Sequence, residues 1–82
     1  MTGSESIKTI SCLPVGTEVL IGENIQGRIT GIGIRDNKGV TLRYEIEWWN
    51  GRDRKEAWIP AIEVLPKSDA PGLIRIGFAI NE

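Results

Sequence analysis

With 82 residues, and ten Lys and Arg against eleven Asp and Glu, the chain has room for one domain and one small core and carries a formal net charge of −1. A single cysteine and no histidine exclude a disulfide framework, a zinc site and histidine-based acid–base or nucleophilic catalysis. The charge balance withholds the basic excess that favours polyanions, although Arg28, Arg43, Arg52, Arg54 and Lys55 lie close along the chain.

Met1 to Ser6 is small and polar and reads as a tail. It lacks the basic start and apolar run of a signal peptide. No apolar stretch approaches the roughly 20 residues that cross a bilayer, so no membrane partner is expected. A lone cysteine suits a reducing compartment, and the expected location is cytoplasmic. Ile7 to Ser11 has weak strand character, able to extend a sheet edge or a neighbouring subunit, within an N-terminal segment 1–14. Leu13 to Thr17 reads as a lead-in turn, and Glu18 to Ile21 as the first core strand, stopped by Gly22-Glu23-Asn24.

Gly27 to Arg35 reads as the second strand, with glycines at 27, 31 and 33. Ile29 and Ile32 differ in parity, which predicts a bulge at or near Gly31. A phosphate-binding glycine loop would need a following helix and a Lys-Ser/Thr pair, and neither is present. Asp36 to Gly39 is a polar connection. The third strand then alternates over ten residues: Val40, Leu42, Tyr44, Ile46 and Trp48 on one face, Thr41, Arg43, Glu45, Glu47 and Trp49 on the other. The apolar set predicts a core, with Trp48 as core filler. Asn50-Gly51 predicts a tight hairpin turn with positive φ at Gly51.

Asp53 to Ile59 returns as the fourth strand, on which either Trp58 or Ile59 must face outwards. Ala61 to Glu63 is long enough for one helical turn before Val64-Leu65-Pro66. Residues 67–72 form a linker, and Leu73 to Ile80 is a near-continuous apolar run. Such a run does not suit a solvated tail. It predicts a strand added to a sheet edge, across a subunit interface.

These residues resemble an SH3-like barrel, most closely the Tudor- and KOW-type barrels. The resemblance covers residues 15–66: Gly16-x-x-Val19, Gly27-x-Ile29-x-Gly31-Ile32, Tyr44-x-Ile46-x-Trp48, then Trp58 before Ile62 and Leu65. It extends to short uncharacterised bacteriophage and mobile-element proteins. The fold it implies is all-β, a small five-stranded SH3-like barrel with an extra C-terminal strand, and it carries no specific activity. A second resemblance is to the type B dihydrofolate reductases, similar to Ile25–Gly31 and Ile59–Leu65. That family's Val-Gln-Ile-Tyr-Pro pore motif falls on Glu56-Ala57-Trp58-Ile59-Pro60, so Ala57 and Ile59 replace the ligand-contacting amide and phenol. Leu20, Ile21 and Gly22 replace its lysines, and the reductase activity is the alternative reading.

Glu45 and Glu47 share a face with Arg43, an alternation that points to surface ion pairing rather than to an acid–base pair. Trp49 lies on the same polar face, where a monomer has no need of a large apolar side chain. The chain is therefore read as a non-enzymatic binding module without cofactor or metal. It contacts a partner through the strand 3–strand 4 surface, with Trp49, Arg43, Arg52, Arg54 and Trp58 as the binding residues. A protein partner or self-association as a homo-oligomer is expected, oligomerisation being the stabiliser left to so small a core. A nucleic-acid-binding Tudor/KOW-like barrel is a further alternative.

Overall fold

A computed structural model describes residues 6–36 and 38–80. Seven strands account for most of them: β1 (Ser6–Cys12), β2 (Glu18–Ile21), β3 (Ile25–Asp36), β4 (Val40–Asn50), β5 (Asp53–Pro60), β6 (Val64–Pro66) and β7 (Ile74–Ile80). A single 3-10 turn, Ala61–Glu63, follows Pro60. The expected N-terminal tail falls on residues 1–5, outside the described residues, while Ser6 opens β1. Asn37 of the β3–β4 connection is also outside them.

The five strands expected between residues 18 and 66 form one antiparallel sheet in the order β5-β4-β3-β2-β6. The outermost strands, β5 and β6, are not hydrogen-bonded to each other, so hydrogen bonds do not close the sheet into a barrel. Ile29 faces Ile46 and Gly31 faces Glu45, which leaves Thr30 as an extra residue on β3. This bulge changes the parity of β3. As a result Ile29 before it, and Ile32 and Ile34 after it, all fall on the side of Tyr44 and Ile46.

On that side Val19, Ile21, Ile29, Tyr44, Ile46 and Val64 are buried together with Cys12 and Leu13. Ile32, Leu42, Trp48, Ile59, Ala61 and Ile76 pack around them and are only partly buried. Trp48 thus has the core parity but lies near the end of β4, half-buried at the rim, and does not fill the centre as expected. The choice between Trp58 and Ile59 resolves in favour of the isoleucine, which packs on the core while Trp58 faces out. One buried polar contact ties the N-terminal segment to the sheet: the Leu13 N–H donates to Tyr44 Oη at 2.8 Å.

The β4–β5 turn is tight. Asn50 pairs with Asp53, so Gly51 and Arg52 alone make the loop, and Gly51 has φ +67°. Asn50 closes β4 instead of sharing the centre of the turn with Gly51. Positive φ at the first central position only is the pattern in which glycine is required there. Gly51→Val is expected to cost more than about 1 kcal/mol, because a β-branched residue is strained at that φ. A variant with an unchanged melting temperature would contradict this turn.

The C-terminal strand departs from expectation. β7 pairs along its whole length with β1 of the same chain, Ser6 opposite Ile80 through Cys12 opposite Ile74. It does not reach across a subunit interface to find its edge, and neither strand joins the five-stranded sheet. The first and last described strands therefore meet in one two-stranded ribbon. The described molecule is elongated, with extents of 57 × 24 × 17 Å.

Candidate binding face

The alternation that buries one side of β4 sends Arg43, Glu45, Glu47 and Trp49 to the other. Across the β4–β5 ladder, Pro60 faces Arg43, Trp58 faces Glu45, Glu56 faces Glu47 and Arg54 faces Trp49. Across the β3–β4 ladder, Gly33 faces Arg43, Gly31 faces Glu45 and Arg28 faces Glu47. One sheet face thus carries two tryptophans, Trp49 at 62% and Trp58 at 50% exposure. They lie four residues apart along the sheet, about 13 Å at strand rise.

The seat of Trp58 is built by glycine. A Cβ added to Gly31 would lie 3.3 Å from Trp58 Cη2, and one added to Gly33 would lie 3.1 Å from Cζ3. The six-membered ring of the indole rests on these two bare stretches of β3, which hold it across the strand. Any side chain at Gly33 would have to push the ring away. Beside the ring, Gly33, Ile34, Arg35, Thr41 and Arg43 complete a groove of about 290 Å³.

The charges on the face divide into two groups. Arg54 is occupied: its Nε donates to Glu47 Oε1 at 2.8 Å and its Nη2 to Glu56 Oε2 at 3.1 Å. These two carboxylates, Glu47 first, raise the already high guanidinium pKa. Glu45 is engaged by Thr30, whose Oγ1 lies 3.2 Å from Glu45 Oε1 and 3.3 Å from the Glu45 carbonyl oxygen. Arg43 makes no ion pair with the described residues, and neither do Arg28 and Arg35. The expected pairing of Glu45 and Glu47 with Arg43 is replaced by Thr30 and Arg54.

The five residues read as binding residues are therefore not equivalent. Trp49, Trp58 and Arg43 share the face, with Trp58 and Arg43 lining one groove. Arg54 shares the face but is held by Glu47 and Glu56 between the two tryptophans. Arg52 sits at the tip of the β4–β5 turn, off the ladder. Gly31, Gly33, Arg35 and Thr41 belong to the site and were not read as part of it from the sequence. The signal was present in the parity after the bulge, which sets both glycines on the row of Arg43 and Glu45.

Cys12 is buried, with its thiol pKa pushed up by desolvation, which holds it as the unreactive thiol. Among the described residues no group of three or more Cys, Asp or Glu is placed to hold a metal ion, and no helix is long and apolar enough to cross a membrane. The chain matches no protein-family model, no curated protein and no solved structure.

Proposed function

We propose that this chain is a non-enzymatic binding module of the SH3-like kind, self-associating, that takes a protein partner on the outer face of β3, β4 and β5. The observation that carries the reading is the pair of exposed tryptophans on one face, one of them seated on Gly31 and Gly33 beside Arg43. Tryptophan and arginine dominate interface energetics because they bring large rigid area and planar donors. A cationic ligand group is disfavoured in the Trp58 groove, since Arg35 and Arg43 already line it. The segment that fits is short and extended, with an apolar or aromatic residue for the indole and a carboxylate for the guanidinium groups.

Affinity selection from a random peptide library tests this. Selected peptides are expected to carry aromatic and acidic residues and to lose at least tenfold in affinity for Trp58→Ala or Arg43→Glu. Trp58→Ala itself is expected to stay folded but to lose about 1–3 kcal/mol, because the half of Trp58 that is out of water packs on Gly31 and Gly33. Selected peptides that bind Trp58→Ala and Arg43→Glu as well as the native chain would overturn the reading. Binding instead to oligonucleotides, with the steep salt dependence of phosphate contacts, would replace the protein partner by nucleic acid.

A further inference from the structure

The five-stranded sheet ends on β5, and the outer side of that strand is open. All of its residues except Ala57 and Ile59 are exposed. At the other edge β6 has three residues and ends in Pro66, too short a strand to extend the sheet. The two-residue β4–β5 turn decides which backbone groups β5 turns outwards. Such a turn closes on a hydrogen-bonded pair, here Asn50 with Asp53, and bonded pairs then recur at every second residue. Asp53, Lys55, Ala57 and Ile59 therefore bond to β4. Arg54, Glu56 and Trp58 point their N–H and C=O groups away from the sheet, and Pro60 points its carbonyl. Among the described residues these groups have no backbone partner. An edge of alternating donors and acceptors is complemented by another extended backbone.

We infer that this edge is completed by β5 of a second copy, antiparallel about a two-fold axis at Ala57, so that two sheets continue as one. The strand's own sequence argues for a copy of itself. Its first half, Asp53-Arg54-Lys55-Glu56, is charged, and its second half, Ala57-Trp58-Ile59-Pro60, is not. Pairing about Ala57 lays each half along the other, with Glu56 opposite Trp58, Lys55 opposite Ile59 and Arg54 opposite Pro60. Neighbouring registers are worse. An axis at Glu56 or at Lys55 sets that residue against its own copy, and like charges directly opposite are destabilising. An axis at Trp58 leaves Arg54 beyond the paired strand.

About Ala57 the outward groups also match. Each Glu56 exchanges both bonds with the copy's Trp58. Each Arg54 N–H meets a Pro60 carbonyl, the one backbone group that proline offers. The Arg54 guanidinium needs no carboxylate from the copy, because Glu47 and Glu56 of its own chain already hold it. On the core side, the Lys55 stem covers the copy's Ile59, which is only partly buried in one chain. The inference rests on the self-association in the proposed function and names its surface, but not on the peptide site. Peptide binding by a monomeric chain would remove the pairing and leave that site standing.

Sedimentation over a wide concentration range tests it, with the whole chain and three variants. The native chain is expected at twice its 9.1 kDa mass. Glu56→Pro deletes an N–H that the β4 ladder does not use, and is expected to weaken the dimer at least tenfold. Glu56→Ala, which keeps that N–H, and Trp49→Ala, on β4, are expected to stay dimeric. A native chain that is monomeric throughout would overturn the inference, as would a Glu56→Pro variant that dimerises like the native chain. Loss of the dimer in Trp49→Ala but not in Glu56→Pro would move self-association to the binding face.

A disulfide arm holds even where Glu56→Pro unfolds the strand. In a Cys12→Ser background, Ala57→Cys is expected to link two chains under oxidised glutathione. The axis sets its two copies opposite each other as a non-bonded pair, with Cα atoms about 4.5 Å apart, within disulfide reach. Lys55→Cys, two residues from the axis, is not expected to link. Equal linking at the two positions, or none at Ala57→Cys, would contradict the pairing.

Discussion

Ile46→Ala is expected to lose about 2–5 kcal/mol, the usual range for deleting a buried isoleucine side chain. Ile46 is fully buried, sits at the centre of β4, and faces Ile29 on one side and Ala57 on the other. Domains of this length have about 4–12 kcal/mol of stability in all, so the variant should be partly unfolded at 37 °C. Urea unfolding followed by tryptophan fluorescence reads the loss directly. Trp49→Ala, three positions further along β4 but exposed, should shift the same curve by no more than about 0.5 kcal/mol. Equal losses at the two sites would invert the assignment of the faces of β4.

Tyr44→Phe is the second large effect, and it acts at a distance. The phenolic oxygen accepts the buried Leu13 N–H, and without it that donor has no partner. The expected cost is about 1–3 kcal/mol, the penalty of a buried group left unsatisfied. Leu13 follows β1 directly, so the ribbon amides of β1 and β7 should lose hydrogen-exchange protection before those of β3 and β4.

The same phenol gives a pH dependence. Burial raises its pKa above the ordinary value, opposed by the Leu13 hydrogen bond and aided by Cys12. Burial raises the Cys12 thiol in the same direction. Both groups ionise first in the unfolded chain, so their contribution is complete below the ordinary thiol and phenol values and declines as pH rises past about 9–10. The native chain should therefore lose stability in alkali more steeply than a Tyr44→Phe, Cys12→Ser double variant. Identical alkaline profiles would contradict the burial of both groups.

The strands of the five-stranded sheet were legible because their side chains alternate. The first ten of the eleven residues of β4 carry a period of two with no interruption, and Asn50-Gly51 and Pro60 mark where the chain turns. The bulge was legible for the same reason, since Ile29 and Ile32 cannot share a face without one. The ribbon was only half legible. The apolar run of β7 required a partner, but its partner is 62 to 74 residues away, from Cys12 opposite Ile74 to Ser6 opposite Ile80, in a segment whose own strand signal is weak. Periodicity reports which face is buried, not which strand lies alongside.

The binding face shows the same division. Exposure of Trp49 followed from its parity with Arg43, Glu45 and Glu47. The seat of Trp58 did not, because it depends on two glycines of another strand brought into register by the bulge. Arg54 shows the opposite case. Its residue type suited a partner, but its position opposite Trp49 and diagonal to Glu47 gives it carboxylates of its own. Trp48 has the right parity for the core, yet its place near the strand end leaves it at the rim.

The three indole N–H groups give the most direct test of the binding face, because each tryptophan contributes one separate signal to a nitrogen-15 correlation spectrum. Titrating the labelled chain with a peptide selected for binding is expected to move the Trp58 and Trp49 indole signals and the backbone amides of Gly31, Gly33 and Arg43. The buried row of Val19, Ile29 and Ile46 should hardly change. A peptide that binds while the Trp49 and Trp58 signals stay in place, with its shifts gathered elsewhere on the molecule, would contradict the assignment of this face.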